Sequence, residues 1–148
     1  MPQKRFVFRL QALLEHREQI EKEKQQVLAE CLQRLSVLEE NLASRMAELQ
    51  NMWTERKKYG FINAETSMMH LSYTALIKDK IQEKKGEVDQ YKNIVHAARL
   101  DLIEASKQKK ALEILKENQQ NEFKKAEKLK ETKFLDELAN MREMRKRQ

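Results

Sequence analysis

Residues that interrupt helices are nearly absent from this chain. One proline and two glycines occur among its 148 residues, whereas ordinary proteins contain about 5% proline and 7% glycine. Turns are therefore rare, and a fold with many short elements is excluded. The abundant residues are leucine, alanine, lysine, glutamate, glutamine and arginine, which favour long helices. We predict one elongated all-α unit without a thick core.

The residues that enzymes use are also scarce or badly spaced. The single cysteine, Cys31, lies in an apolar stripe and suits a small core residue. His16, His70 and His96 are far apart and form no metal-ligand spacing, and the chain has no glycine-rich phosphate loop and no nucleophile elbow. Carboxylates are numerous, but on solvated helices they lack the pocket that shifts pKa values for catalysis. We predict that the protein is not an enzyme and holds no metal and no cofactor.

Charge is plentiful and mixed in sign. Charged residues make up 36% of the chain and the net charge is +6, which is typical of solvated helix faces with i,i+4 pairs. Signatures of nucleic-acid-binding folds are missing, so we expect acidic protein partners and no nucleic acid. No apolar run approaches the ~20 residues of a membrane span, and Lys4, Arg5 and Arg9 interrupt the stretch from Phe6 to Leu14. We expect a cytosolic protein without direct membrane insertion.

Two seven-residue apolar repeats lie on either side of Gly60. The first contains Leu28, Cys31, Leu35, Leu38, Leu42, Leu49 and Met52, and the second contains Ile77, Ile81, Lys84, Val88, Tyr91, Val95, Ala98 and Leu102. A sustained heptad repeat places a narrow apolar stripe along a helix and favours a left-handed supercoil with a second helix. We therefore predict a long two-helix antiparallel coiled-coil hairpin with a C-terminal helical overhang. Its helices span about 4–58 and 67–144, and its bend spans about 59–66.

The predicted register follows from matching the two repeats about a bend centred near residue 65. Leu38 then faces Tyr91, and Ile77 faces Met52 or Trp53. Three polar residues after the bend are candidate caps for the second helix: Asn63, Thr66 and Ser67.

Two stretches depart from this regular stripe. Arg45 falls opposite Lys84, and we expect both to turn outward while Met46 fills the space between the helices. Toward the N-terminus the stripe shifts by one position, and its members there are Phe6, Leu13, Ile20 and Val27.

Two groups of apolar residues are left over by the predicted hairpin. Residues beyond about 126 have no partner on the first helix, yet they include Phe134, Leu135, Leu138 and Met141, and such a stripe normally meets another chain. Near the bend lies a cluster of large apolar residues that either closes the last layer or forms a docking surface. Its members are Trp53, Tyr59, Phe61, Met68, Met69 and Tyr73.

Both ends of the chain resemble the FliJ family of bacterial flagellar export proteins. The opening FVFRLQALLEHREQIEKEKQQVLAE is similar to the family's F-x-F-x-L-x-x-L-L-x-x-R-E start. The segment ALEILKENQQNEFKKAEKLKETKFLDELANMREMR is similar to its C-terminal helix, with a K-x-L-E-x-L-K-E stretch and a terminal L-D-E-x-A. The resemblance spans essentially the whole chain and agrees in length and in the two-helix pattern.

This resemblance implies a stalk-like protein of the flagellar type III export apparatus, similar to the coiled coil of the F-type ATPase gamma subunit. Its partners would be the hexameric export ATPase, the cytoplasmic domain of the membrane export gate, and export chaperones. It would be a monomer held at the cytoplasmic face of the inner membrane through the apparatus. The implied gate-binding residues are Leu42, Met46, Leu49, Trp53, Tyr73 and Ile77. The implied ATPase-binding residues are Phe6, Phe8, Leu10, Phe134, Leu135, Leu138, Met141, Arg142 and Arg145.

The alternative from the residues alone is a generic structural coiled coil that associates with itself through the same stripe. An intramolecular hairpin predicts an elongated monomer, whereas an unbroken pair of chains predicts a dimer. Nucleic-acid binding, the third possibility, predicts an affinity that falls steeply with salt.

Overall fold

The protein is a helical hairpin. The computed structural model describes residues 4–59 and 63–147, without the side chain of Tyr59. These residues form two helices, α1 (Gln11–Tyr59) and α2 (Ala64–Arg147), and the described part of the chain contains no strand. The predicted all-α hairpin is confirmed. Gly60 and Phe61, which the sequence places in the bend, lie outside the described residues.

The first helix begins later than predicted, because residues 4–8 are not helical and a turn follows at 9–10. The amide of Gln11 donates to the carbonyl of Phe8 at 3.1 Å, and α1 continues from there. Burial alternates before the turn: Phe8 is 5% exposed whereas Val7 is 81% exposed. The first turn of α1 has no acidic residue to favour an earlier start. Packing of the phenylalanines therefore decides the conformation of this N-terminal segment.

The second helix begins with a side-chain cap. Oδ1 of Asn63 accepts a hydrogen bond from the amide of Thr66 at 2.7 Å, and the Ser67 hydroxyl donates to the Asn63 carbonyl at 3.0 Å. Glu65 lies in the first turn, where a negative charge is favourable. Of the three predicted candidates, Asn63 is thus the cap, and α2 begins three residues earlier than the sequence suggests.

Residue packing divides the chain into two units. Residues 4–21 and 104–147 form one, called here the terminal unit, and Lys22–Ile103 forms the other, called the bend unit. The single elongated unit predicted from the sequence stays a prediction.

The core of the bend unit consists of the two predicted heptad stripes. On α1, every member from Leu28 to Met52 is half-buried. On α2 the stripe is more deeply buried and includes one polar residue beyond the predicted set. Its buried members are Thr74, Ile77, Ile81, Val88, Val95 and Ala98. The hydroxyl of Thr74 is satisfied by a hydrogen bond to the carbonyl of His70 at 2.8 Å.

The contacts between the helices bear out the predicted register only in part. Nζ of Lys78 lies 5.6 Å from the Trp53 ring, beside the predicted pair of Ile77 with Trp53, and Glu21 meets Lys109 as a bend near residue 65 requires. Two contacts of the bend unit differ: the Tyr91 side chain lies beside that of Cys31, seven residues before its predicted partner Leu38. Tyr73 donates to Glu48 at 3.2 Å, although the predicted register places it opposite the end of α1. A heptad pattern is unchanged by a seven-residue slide, so the pattern alone could not distinguish the two registers.

In the terminal unit the predicted one-position shift of the stripe is wrong at Leu13, although Phe6 and Ile20 are half-buried. Leu14 is 3% exposed, whereas its neighbour Leu13 is 40% exposed. The half-buried residues after Leu14 include Arg17 and Glu21, which keep the heptad phases of Cys31 and Leu28. Arg17 donates to Gln108 across the helix pair, and Nζ of Lys109 lies 3.0 Å from Glu21. Polar side chains occupy stripe positions here, so the apolar pattern of the sequence does not indicate them.

Candidate partner-binding surfaces

The residues implied for the export gate do not share one surface. Ile77 is 3% exposed and belongs to the core of the bend unit, and Leu42 and Leu49 are half-buried in the α1 stripe. The other three are exposed: Met46 at 41%, Trp53 at 38% and Tyr73 at 50%. A partner that approaches the folded bend unit therefore meets these three side chains rather than the three less accessible ones.

Trp53 is held between two cations. The Arg56 guanidinium carbon lies 5.4 Å from the centroid of the Trp53 ring, and Nζ of Lys78 on α2 lies 5.6 Å from it. Both distances allow cation–π attraction. The ring is thus positioned by contacts from both helices.

Tyr73 is held by a hydrogen bond to Glu48, a carboxylate that also pairs with Arg45. Its hydroxyl donates to Oε1 of Glu48 at 3.2 Å, and Oε2 of the same carboxylate pairs with Arg45 at 3.1 Å. The Arg45 side chain is 38% exposed and pairs with Glu48 on its own helix, so its charged end lies at the surface as predicted. Met46, expected to fill the space between the helices, is instead exposed.

A shallow apolar surface lies beside Tyr73 at the start of α2. Met68 is 71% exposed, Met69 is 69% exposed and Leu76 is 58% exposed. We call this surface the methionine face; it is lined by Glu65, Met68, Met69, Ser72, Tyr73 and Leu76. The sequence analysis identified both methionines and Tyr73 but missed Leu76. Its spacing of seven residues from Met69 was the available signal.

The terminal unit carries the residues implied for the ATPase. Phe8 is buried, and Phe6 is half-buried with its ring centroid 5.7 Å from that of Phe123. Leu10 is 38% exposed. These N-terminal residues pack within the unit, whereas Val7 is exposed.

The C-terminal part of α2 is exposed throughout. Every residue from 128 to 147 is exposed, in agreement with the predicted overhang. The stripe of Phe134, Leu135, Leu138 and Met141 is 43–60% exposed, and Arg142 and Arg145 are exposed beside it. We call these four apolar residues the C-terminal stripe. Leu129 and Met144 are also exposed here and were not predicted.

An ion pair crosses the terminal unit between its two chain segments. The Lys109 ammonium lies 3.0 Å from Glu21, and its hydrogen bond lowers the pKa of that carboxyl; Ser106 adds a second, weaker hydrogen bond. The same hydrogen bond raises the pKa of Lys109, and Glu113, 3.7 Å away, contributes in the same direction. Both side chains are mostly shielded, with 13% of Glu21 and 24% of Lys109 exposed. The pair therefore joins α1 to α2 where apolar contacts are few.

Cys31 meets the hydroxyl of Tyr91 inside the bend unit. Removal from water raises the pKa of Tyr91, and the Cys31 side chain contributes in the same direction. The neutral form of Tyr91 is thus favoured, which suits a structural contact between the helices. Among residues 4–59 and 63–147, no three histidine, cysteine or carboxylate side chains lie close enough to hold a metal ion. Neither helix within those ranges has an apolar stretch long enough to cross a membrane.

The comparison with protein-family models supplies a match over nearly the whole chain. A family model described as "Flagellar FliJ protein" matches residues 6–148. That range contains α1, α2, the methionine face and the C-terminal stripe. Searches among curated proteins and among solved structures returned no match.

Proposed function

This chain belongs to the FliJ family, and we propose on that premise that it is a non-catalytic stalk of the flagellar type III export apparatus. In this proposal the terminal unit binds the hexameric export ATPase and favours its assembly. The bend unit contacts the cytoplasmic domain of the export gate, and the protein also binds export chaperones. It is held at the cytoplasmic face of the inner membrane by these partners.

The exposed C-terminal stripe is the observation that carries the ATPase proposal. Four large apolar side chains stand 43–60% exposed on one stretch of helix, with basic residues in its last turn. Large apolar groups exposed together on a helix are typical of a surface that a partner covers. Arg142 and Arg145 add positive charge that attracts an acidic surface at low salt. An apolar stripe with a basic end suits a ring with an acidic, partly apolar channel.

The stalk needs no chemistry of its own to stimulate the ATPase. If it binds the assembled ring and not the free subunits, mass action shifts the equilibrium toward the ring. ATP turnover then rises because more ATPase is assembled. This mechanism agrees with the absence of catalytic motifs in the sequence.

The bend unit supplies the gate contact in the same proposal. Trp53 and Tyr73 are exposed and positioned by neighbouring side chains, and the methionine face adjoins Tyr73. Aromatic residues and methionine are enriched at protein interfaces. We assign the gate contact to the exposed residues of this region and a supporting role to Leu42, Leu49 and Ile77.

A matched pair of variants tests the ATPase contact. The change Phe134→Ser with Leu138→Ser removes the centre of the C-terminal stripe. The control, Asp136→Ser with Asn140→Ser, changes the opposite face of the same exposed helical turns. The stripe variant is expected to lose stimulation of ATP hydrolysis by the purified export ATPase, and the control is expected to retain it. Circular dichroism checks that both remain helical.

Full stimulation by the stripe variant would contradict the proposed ATPase contact. Equal loss in both variants would show that helix stability, rather than the apolar stripe, matters. Titration with salt separates the two contributions, because the charged contact weakens with ionic strength and the apolar contact does not.

A further inference from the structure

Methionine is concentrated where the chain is most exposed. Met68, Met69, Met141 and Met144 are 60–73% exposed, whereas Met52 is half-buried in the stripe between the helices. These four are more exposed than Met46, which is 41% exposed, and they fall into two pairs. One pair forms the centre of the methionine face, and the other lies at the C-terminal end of α2. The side chains that oxidants reach first are therefore those of the candidate docking surfaces.

We propose that Met68 and Met69 are a reversible oxidation site that controls docking on the methionine face. This inference rests on the proposed contact with the export gate. Hydrogen peroxide is the oxidant class we assign. The thioether sulfur forms a bond to one peroxide oxygen as the O–O bond breaks; sulfur loses two electrons, and the other oxygen leaves as water.

The expected effect follows from the surroundings of the two side chains. The methionine face is lined mainly by apolar and aromatic groups, with Glu65 one turn before Met68 and Ser72 one turn after it. A sulfoxide is polar, and an apolar partner surface that covers it must remove it from water without offering it a hydrogen bond. Oxidation thus weakens docking, while the half-buried stripe that holds the hairpin together is unaffected. Methionine sulfoxide reductases reverse the change.

The change Met68→Leu with Met69→Leu provides the decisive variant, because leucine keeps the surface apolar and does not react with peroxide. Met141→Leu with Met144→Leu is the matched control, since it removes two equally exposed methionines from the other surface. Each protein is treated with peroxide, and mass spectrometry of peptides locates the sulfoxides. Binding is then measured to the purified cytoplasmic domain of the export gate and, separately, to the apolar dye anilinonaphthalene sulfonate.

Oxidation of wild type and of the Met141→Leu, Met144→Leu control is expected to weaken gate binding about tenfold, which corresponds to about 1.4 kcal/mol. The Met68→Leu, Met69→Leu variant should lose far less gate binding after peroxide, because Met46 is the one methionine of the assigned gate contact that it retains. Reductase treatment should restore the wild type. Unchanged gate binding after complete oxidation of Met68 and Met69 would overturn the proposal. Equal losses of gate binding after peroxide in the two leucine variants would also overturn the proposal.

The dye separates this inference from the proposed function. If the untreated protein does not bind the gate domain, the proposed gate contact is wrong, whatever oxidation does. The dye then decides the oxidation proposal: fluorescence that falls with oxidation only when Met68 and Met69 are present supports a switchable apolar face. Fluorescence that does not change with their oxidation contradicts it.

Discussion

Glu21 and Lys109 occupy stripe positions where a coiled coil ordinarily has apolar residues. Their ammonium–carboxylate contact of 3.0 Å is supported by Arg17 donating to Gln108 one turn away. Ion pairs in a helix interface contribute to partner choice and alignment as much as to stability. Here the pair fixes how α1 and α2 align within the terminal unit, where apolar contacts are few.

The pKa shifts predict how this pair responds to pH. The pKa of Glu21 is lowered, so its contribution is present above the unfolded value of 4.5 and is lost as pH falls through the folded value. The pKa of Lys109 is raised, so its contribution is present below 10.5 and is lost as pH rises through the folded value. The stabilisation therefore spans the neutral range.

The variant Glu21→Gln tests this pH dependence. We expect its melting temperature to be lower than that of wild type at pH 7, and the difference to shrink as pH falls below 4.5, where the wild-type carboxyl becomes protonated. Thermal melts followed by circular dichroism at several pH values measure the difference. Glu23→Gln, a change at a neighbouring exposed position, is the control. A difference that is the same at all pH values would show that charge is not involved.

At the residue scale, the sequence predicted buried positions wherever the stripe is apolar. Leu28 to Met52 and Ile77 to Ala98 follow the heptads as expected. The predicted buried positions were wrong where polar residues replace apolar ones in the stripe, as at Arg17 and Glu21. Long polar side chains bury their stems and pair at their ends, so composition alone does not distinguish a stripe position from a solvated one.

The N-terminus of α2 is defined by a single capping side chain, that of Asn63. Asn63 accepts the amide of Thr66 at 2.7 Å, and this hydrogen bond satisfies one of the free donors in the first turn. We expect Asn63→Ala to destabilise the protein by about 1 kcal/mol. Asn63→Asp, which keeps a side-chain acceptor, should remain close to wild type. Urea denaturation measures both, and equal losses would show that the cap is not the cause.

Gly86 lies within α2, exposed to solvent, and a Cβ built there meets nothing within 4 Å. Glycine weakens a helix interior because it loses more conformational freedom than alanine. We expect Gly86→Ala to stabilise the protein by about 1 kcal/mol. The reverse change at an exposed alanine of the same helix, Ala97→Gly, should destabilise it by a similar amount. A destabilising Gly86→Ala would indicate that bending at this position is required.

The N-terminal segment marks a limit of element prediction. The sequence suggested a helix from about Lys4, but α1 begins at Gln11. The reason is tertiary: Phe8 becomes buried and Phe6 meets Phe123 only because the backbone before Gln11 is not helical. Helical periodicity does not contain that information. Asn63, in contrast, was identifiable, because capping depends on local sequence.

At the scale of the whole chain, register is the property that the sequence supplies least completely. A heptad repeat allows alignments that differ by seven residues, and within the bend unit Tyr91 lies beside Cys31 rather than Leu38, whereas Lys78 lies beside Trp53, close to the predicted pairing. Chemical cross-linking distinguishes the two alignments. The native Cys31 should be joined by a short bismaleimide to a cysteine introduced as Tyr91→Cys, and poorly to one introduced as Ala98→Cys.

The cross-linked products distinguish the two alignments and also pairing between two chains. An intramolecular product with Tyr91→Cys, detected as a faster band in denaturing electrophoresis and by mass spectrometry, supports the register described above. A preference for Ala98→Cys would restore the register predicted from the sequence. Products of twice the chain mass would instead favour pairing between two chains.

The hairpin topology also determines the order in which contacts form during folding. Glu48 and Tyr73 are 25 residues apart in sequence, Glu21 and Lys109 are 88 apart, and Gln11 and Lys116 are 105 apart. Loop-closure entropy favours the shortest separations first, so pairing starts beside the bend and advances toward the chain ends. On the ribosome, Glu21 is synthesised 88 residues before Lys109. The apolar stripe of α1 thus remains exposed to solvent until α2 has been synthesised. The surfaces at the chain ends are the last to be completed.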